Sequence, residues 1–176
     1  MRIRAWSSIR AGFAAALLAM TAMGALSVVP AAAEDPRIPL PPGDVALNDE
    51  FCTFPVDIHF TDANQYIIHQ TTASDGTTTL DITGRARATV TNVDTGEKVS
   101  YNISGPGTIV IFPDGAFSID AHGPNLLWTT RENSFPGVPA ISYTTGHVRV
   151  QVDASGETTG YSLSGRRTDV CRVLAS

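Results

Sequence analysis

From Phe51 to the C-terminus, the chain consists of short runs rich in Val, Ile, Thr and aromatic residues. Gly, Asp-Gly or Pro separates these runs about every 8–12 residues, which is the spacing typical of an all-β sandwich or barrel. The pattern predicts about 8–10 strands. The runs cover residues 54–61, 65–72, 78–93, 97–104, 107–112, 116–122, 125–131, 141–152, 158–165 and 168–174.

The segments between the runs contain residues that favour tight hairpin turns. Asp75-Gly76, Asp94-Thr95-Gly96, Pro113-Asp114-Gly115 and the loop from Asp153 to Gly156 all suit turns that need a residue at positive φ. Short hairpins pair consecutive strands antiparallel. The sequence therefore predicts an antiparallel meander.

Residue alternation predicts that each strand has one apolar and one polar face. Val148 and its i+2 neighbours alternate with His147 and Arg149, as expected for a strand of period two. The two longest runs each contain a glycine, Gly84 or Gly146. Glycine inside a strand often marks a bulge or sharp bend, as a strongly coiled sheet or a barrel requires.

The N-terminus has the three-part plan of a Sec-type signal peptide. Three arginines precede an almost wholly apolar stretch at residues 11–29, and Ala31-Ala32-Ala33 follows. The alternative is a membrane anchor, since the apolar stretch nearly has the length that spans a bilayer. We expect cleavage after residue 33, hence a secreted extracellular or cell-envelope protein with no membrane span after cleavage.

Residues 34–50 contain several prolines and acidic residues but no periodicity, which predicts an extended or disordered arm before a single domain at residues 51–176. Loss of residues 1–33 leaves nine basic and 17 acidic residues, a net charge of −8. Such a chain has no patch able to neutralise a row of phosphates. We therefore expect neither nucleic acid nor an anionic membrane surface as a partner.

The chain has two cysteines, Cys52 and Cys171. In an oxidising compartment, an even and small number of cysteines indicates one disulfide. The alternative is a pair of metal-binding or redox thiols, but no clustered His or Cys lies at metal-ligand spacing. A bridge from just before the first long run to the last run would bring the ends of the meander together. We therefore expect a closed or nearly closed barrel, with a two-sheet sandwich as the alternative.

Catalytic motifs are missing from the sequence. It has no G-x-S-x-G elbow, no P-loop and no H-E-x-x-H. We therefore predict no catalytic residue, no cofactor and no metal site from motifs alone. Two D-x-H pairs, Asp57 with His59 and Asp120 with His122, remain candidates because a strand places i and i+2 on one face. In such a pair, the carboxylate can fix the tautomer of the imidazole or raise its pKa, or the two side chains can bind a metal ion. The alternative is that both are polar residues that simply face solvent.

Three aromatic residues are candidates for contact with a ligand or partner: Trp128, Phe135 and Tyr143. Trp128 and Tyr143 either line an apolar cavity or pack in the core. Phe135 lies in the longest stretch without a strand pattern, residues 132–140, which prolines stiffen. That loop either covers a pocket or contacts a partner, or Phe135 packs into the end of the core.

Five segments carry a resemblance to known sequences: Phe51-Cys52-Thr53-Phe54-Pro55-Val56, Thr91-Asn92-Val93-Asp94-Thr95-Gly96, Gly123-Pro124-Asn125-Leu126, Gly146 and Gly165-Arg166-Arg167-Thr168-Asp169-Val170-Cys171. Through them the chain resembles, over nearly all of the mature domain, a family of small secreted proteins of unknown function from high-GC bacteria. The resemblance implies secretion, a Cys52–Cys171 bridge and an all-β domain. It implies no activity, cofactor or catalytic residue.

Three functions are compatible with these observations. The first is a secreted non-enzymatic β-barrel that binds a small apolar ligand or an extracellular or envelope partner. The second is a small secreted barrel enzyme, an isomerase or hydrolase, that uses an Asp-His pair. The third is a protein-interaction or inhibitor module that presents the loop at residues 132–140. Missing motifs and aromatic content favour the first.

Overall fold

A computed structural model describes residues 37–176, which form ten strands and one short helix. The all-β prediction is confirmed. The elements are β1 (Ile38–Pro39), β2 (Val45–Leu47), β3 (Val56–Thr72), β4 (Thr78–Asn92), β5 (Lys98–Asn102), β6 (Gly107–Ile111), β7 (Phe117–His122), β8 (Asn125–Trp128), β9 (Ile141–Val152), β10 (Thr158–Asp169) and α1 (Val170–Leu174).

All ten strands belong to one antiparallel sheet with the order β1-β3-β4-β6-β7-β9-β10. The remaining three strands pair at the side, β2 with β3, β5 with β4 and β8 with β9. The sheet is not closed, because β10 pairs with β9 alone and does not reach β1 or β3. The structure therefore does not confirm a barrel.

The meander has two branch points that the sequence did not predict. Strand β4 pairs with β6 over Thr78–Ile82 and with β5 over Arg87–Thr91. Strand β9 likewise pairs with β8 near its start and with β7 near its end. Each of these long strands thus has two successive partners along one edge. Strands β5 and β8 pair only with β4 and β9 and are not part of the main strand order.

Gly84 lies on β4 between the part of the strand that pairs with β6 and the part that pairs with β5. Its φ is +131°, and a Cβ there would lie 2.2 Å from the backbone oxygen of Asn64 on β3. The pairing of β3 with β4 shifts register between Thr61 and Asn64, next to this contact, and Asp62 has a positive φ of 50°. The sequence predicted a bulge or a sharp bend at this glycine, and the structure has a bulge in β3 opposite it.

The main core lies at one end of the sheet, where strands that share no hydrogen bonds pack against each other. Tyr101 of β5 stacks on Tyr143 of β9 with ring centroids 4.3 Å apart, and Phe60 of β3 lies 6.4 Å from Trp128 of β8. Fully buried side chains at this end include Val56, Ile58, Val90, Ile141 and Val170. This end therefore has two packed layers within one continuous sheet.

The disulfide joins Cys52 and Cys171, whose Cα atoms lie 5.5 Å apart. The predicted bridge is present, but it does not join two strands. Cys52 lies in the turn before β3, and Cys171 lies in α1. Because neither cysteine is in a strand, the bridge joins the turn before β3 to α1 without closing the sheet.

Residues 168–174, predicted as a strand, instead end β10 and form α1. The Asp169 carboxylate accepts a hydrogen bond from the backbone N–H of Arg172 and so caps the helix. Val170 and Leu174, four residues apart, are both buried. Burial at helical spacing explains why β-branched residues form a helix here.

The segment 34–50, predicted as an extended or disordered arm, is described from residue 37. Within this part, the chain is extended, as its prolines predict, but it belongs to the sheet. Strands β1 and β2 both pair with β3, and Leu47 is buried in the core. The domain therefore includes residues before Phe51. The predicted signal peptide at residues 1–33 lies outside the described residues.

The predicted turns are confirmed. Gly76, Gly96, Gly115 and Gly156 all have positive φ. Asp75 and Asp153 each accept a hydrogen bond from the backbone N–H two residues later.

Among residues 37–176, no helix has both the length and the apolar character needed to cross a bilayer.

Candidate functional site

The second half of the sheet, built from β6, β7, β9 and β10 with the first part of β4, has two chemically different faces. Register places Ile109 opposite Ile119, Ile119 opposite Val150 and Val150 opposite Tyr161. The alternate positions on the same strands include Asp120 and Arg149. One face is therefore apolar and the other polar, as the alternation predicts.

The polar face holds a cluster of four side chains on β7 and β9: Asp120, His122, His147 and Arg149. His122 lies directly opposite His147, and Asp120 lies directly opposite Arg149. The side chains then meet diagonally. Asp120 Oδ1 is 2.6 Å from His147 Nε2 and 3.5 Å from His122 Nε2. The two imidazole rings stack with centroids 4.0 Å apart.

Arg149 binds the other oxygen of the same carboxylate. Its Nε donates to Asp120 Oδ2 at 2.7 Å. This hydrogen bond is the main cause that lowers the pKa of Asp120 below its ordinary value; partial desolvation opposes it, and the bond with His147 adds to it. Asp120 is therefore an anion that holds one cation on Oδ2 and directs Oδ1 towards the two histidines.

The other D-x-H pair does not form a comparable cluster. His59 Nδ1 bonds to Asp44 Oδ2 at 2.7 Å, and Asp44 also accepts from the backbone N–H of Phe60. These bonds, that with His59 first, lower the pKa of Asp44. Asp57 is exposed, and its place on β3 is opposite Thr91 of β4. The structure thus pairs His59 with Asp44 of the preceding segment. Strand β3, which carries His59, is separated from β7 by β4 and β6.

His147 and Arg149 are the residues that sequence reasoning missed as members of a site. Both appeared only as polar members of an amphipathic strand. Asp120 and His122 share a strand and are found by period two, but His147 is 25 residues after His122 and comes into place only through the β7–β9 register. Two histidines that end up cross-strand neighbours carry no local spacing signal.

The three candidate aromatic residues lie in different surroundings. Trp128 and Tyr143 pack against the main core, each beside another aromatic ring. Phe135 lies instead over Tyr161 of β10, with ring centroids 6.3 Å apart. The first two fill the core end of the molecule, whereas Phe135 covers the edge of the apolar face.

The loop at residues 132–140 is held to β10 by hydrogen bonds at two places. The backbone oxygen of Asn133 accepts from the N–H of Thr158 at 3.0 Å, and the oxygen of Gly137 accepts from the Arg167 side chain at 2.9 Å. Arg167 also lies over the Tyr161 ring, 5.8 Å from its centroid. These contacts hold the loop, and Phe135 with it, at one side of the apolar face.

Two open grooves lie elsewhere on the surface. One, of about 380 Å³, runs beside the disulfide and is lined by Phe51, Phe54, Val138, Pro139 and Arg172 among others. The second, of about 330 Å³, is polar and lies beside the β3 bulge, between Asp62, Arg85, Arg87 and Asn102. Neither of these two grooves includes a histidine of the β7–β9 cluster.

Comparison of the chain with protein-family models, with curated proteins and with solved structures found no match.

Proposed function

We propose that this is a secreted, non-enzymatic protein that binds a small apolar ligand on the apolar face of the β6, β7, β9 and β10 strands. The observation that carries the proposal is the incomplete burial of that face. Ile109, Ile119, Val150 and Tyr161 form a cross-strand row, and all four are only partly buried. Apolar surface left in contact with water is a source of binding free energy.

A neighbouring row extends the same face. Ile111 lies opposite Phe117, and Phe117 lies opposite Val152; these three residues are also partly buried. By contrast, the main core at the other end of the sheet is filled with side chains, including Trp128 and Tyr143. The ligand-binding surface in this proposal is therefore not the aromatic core but the second half of the sheet.

The loop that carries Phe135 supports the same proposal. Phe135 stacks on Tyr161 and closes the β10 side of the apolar face, while hydrogen bonds to β10 fix the loop. A proline-stiffened loop that covers one side of an apolar surface is a common arrangement at the mouth of a binding site. Phe135 is the aromatic candidate that we retain as a ligand contact.

In this proposal, the sheet is strongly coiled and nearly closed. Two features support this form: the bulge opposite Gly84, and the disulfide, which holds the turn before β3 close to the helix that follows β10. Export through a Sec-type signal peptide, an extracellular or envelope location and membership of the high-GC family are parts of the same proposal. They are supported by residues 1–33 and by the segments that carry the resemblance.

The enzyme alternative has weaker support. Asp120 and His147 form a hydrogen-bonded pair, but the pair lies on an open strand face and lines neither of the two grooves. Acid-base catalysis requires a substrate held within hydrogen-bond reach of such a pair. The interaction-module alternative has a specific observation in its favour, the groove that Val138 and Pro139 form beside the disulfide.

The apolar fluorescent probe N-phenyl-1-naphthylamine tests the proposed function. We expect its emission to rise on mixing with the protein, and Ile109→Ser to reduce the binding. The matched control is Val110→Ser, because residue 110 is the next residue on β6, is also partly buried and faces the polar side. Urea denaturation establishes that both variants are folded at the assay temperature.

Two results would contradict the proposal. One is a probe that does not bind to the folded protein. The other is a probe whose affinity falls equally in the Ile109 and Val110 variants, because binding would then not depend on the apolar face. Capture of an exported protein by the wild type, with capture lost on Val138→Asp but not on Ile109→Ser, would favour the interaction module instead.

A further inference from the structure

The cluster on the polar face has the geometry of a set of metal ligands. One ligand atom from each of Asp120, His122 and His147 lies within 4.8 Å of the other two. Both histidines approach the carboxylate through Nε2, and both approach the same oxygen, Oδ1. The three ligand atoms come from two strands and lie close enough together to bind the same ion.

The distances nearly match those of a bound transition ion. Imidazole nitrogen and carboxylate oxygen bind Zn²⁺ at about 2.0–2.2 Å, so tetrahedral ligand atoms lie about 3.3–3.5 Å apart. The Asp120 Oδ1 to His122 Nε2 distance is already 3.5 Å. The distance from Asp120 Oδ1 to His147 Nε2 is 2.6 Å. A side-chain adjustment that moves these two atoms apart by less than about 1 Å would bring the distance to the required value.

The backbone fixes two of the three ligands relative to each other. His122 and His147 are directly opposed in the β7–β9 register, and their rings stack at 14° to one another. Neighbouring strands on both sides, β6 and β10, hold these strands in place. Side chains on paired central strands keep their relative position better than side chains on loops, which favours a preformed site.

Arg149 gives the carboxylate its orientation. The Arg149 Nε to Oδ2 hydrogen bond holds the carboxylate with Oδ1 facing the two histidines. A hydrogen bond to the second oxygen of a carboxylate ligand is a common way in which proteins orient such ligands. Arg149 would be a positioning residue and not a ligand.

Two imidazole ligands and one carboxylate ligand favour one class of ion. Imidazole suits Zn²⁺, Cu²⁺, Ni²⁺ and Fe²⁺, whereas Ca²⁺ and Mg²⁺ prefer sites made of oxygen ligands. Three protein ligands also leave at least one coordination position for water or an exogenous ligand. Side-chain exposure of 59% at His122 and 29% at His147 gives an ion direct access from solvent.

We propose that Asp120, His122 and His147 bind one divalent transition-metal ion on the polar face of the sheet. This site is independent of the apolar ligand of the proposed function, because the two surfaces are opposite faces of the same strands. Either can therefore be present without the other.

The experiment is an isothermal calorimetric titration of the purified, untagged protein with Zn²⁺, and separately with Ni²⁺ and with Cu²⁺. We expect one equivalent to bind. His122→Gln and His147→Gln should each weaken binding by more than about 100-fold, since loss of a residue that only hydrogen-bonds a metal ligand already weakens binding about 10–100-fold. The control is His59→Gln, which removes an exposed histidine that also pairs with an aspartate.

Imidazole NMR signals give a second readout that does not depend on any variant. The chain has four histidines, and all four lie within the described residues. Zn²⁺ should shift the ring signals of His122 and His147 and leave those of His59 and His69 unchanged. Absence of binding by all three ions would overturn the proposal, and so would binding that His59→Gln weakens as much as His122→Gln does.

Discussion

Cys52 and Cys171 lie 119 residues apart in sequence, and their Cα atoms are 5.5 Å apart in the structure. Cys52 is 1% exposed and belongs to the main core together with Val170 and Leu174 of α1. The bridge therefore fastens the C-terminal helix to the segment that leads into β3. It acts at the end of the sheet where the layers are packed, and not at the open second half.

Replacement of both cysteines by alanine should lower the free energy of unfolding by about 4–5 kcal/mol, because the bridge closes a loop of more than 100 residues in the unfolded chain. Urea denaturation of the double variant and the wild type measures the difference. The unreduced wild type should give no reaction with a thiol reagent even when unfolded. Two reactive thiols in the protein purified without reductant would show that the bridge does not form.

Gly84→Ala should destabilise the protein by more than about 3 kcal/mol, because the new Cβ would meet a backbone oxygen at a positive φ. The matched control is Gly96→Ala. Gly96 also has a positive φ, of 76°, but nothing lies within 4 Å of its Cβ position, so its cost should be about 1–2 kcal/mol. Equal losses of stability in the two variants would mean that the close approach of β3 to Gly84 does not determine the cost of a side chain at that position.

Much of the sheet could be predicted because its signals are local. A glycine at positive φ after an aspartate marks each predicted hairpin turn, and alternation identifies the faces of β9. The branch points could not be predicted in this way. Nothing in residues 78–92 indicates that β5 pairs with one part of β4 and β6 with another, because the choice depends on tertiary packing.

The same distinction applies to the candidate site. Asp120 and His122 are two residues apart, and strand geometry alone places them together. His147 joins them through register, which the apolar pattern of β7 and β9 and the loops between them determine jointly. The helical end of the chain was missed for a related reason: Val170 and Leu174 form a helix because Asp169 caps it and the core receives both side chains.

Asn92→Ala should cost about 2–3 kcal/mol, because Asn92 is 2% exposed and its side chain makes a buried hydrogen bond to the C-terminal helix. Its Nδ2 donates to the backbone oxygen of Leu174, and its Oδ1 accepts from the backbone N–H of Asp94. Thermal and urea denaturation measure the loss.

The control for that variant is Asn48→Ala. Asn48 also accepts a hydrogen bond from the backbone N–H two residues later, but at an exposed position, so its replacement should cost less than about 1 kcal/mol. A loss at position 92 no greater than that at position 48 would show that the bond to the C-terminal helix contributes nothing to stability.

Acid should loosen the loop between β9 and β10. The Asp153 carboxylate accepts from Ser155 through Oγ and backbone N–H, and from the backbone N–H of Glu157. These bonds, that with the Ser155 side chain first, lower the pKa of Asp153 below its ordinary value of 3.8. A carboxyl whose pKa is lower in the folded state stabilises that state above its unfolded pKa, and the contribution disappears as the pH falls through the folded pKa.

A carboxyl-carbon NMR titration should therefore give a pKa for Asp153 below 3.8, and amide exchange at Ser155 and Glu157 should accelerate once Asp153 is protonated. In Asp153→Asn, the amide oxygen can accept the same bonds but does not titrate, so the acid-dependent part of this change should disappear. Asp114 makes a comparable bond to the backbone N–H of Ala116 in the β6–β7 turn, so Asp114→Asn is a control that should leave the Asp153 titration unchanged. A pKa of Asp153 at or above 3.8 would mean that these hydrogen bonds do not persist in solution.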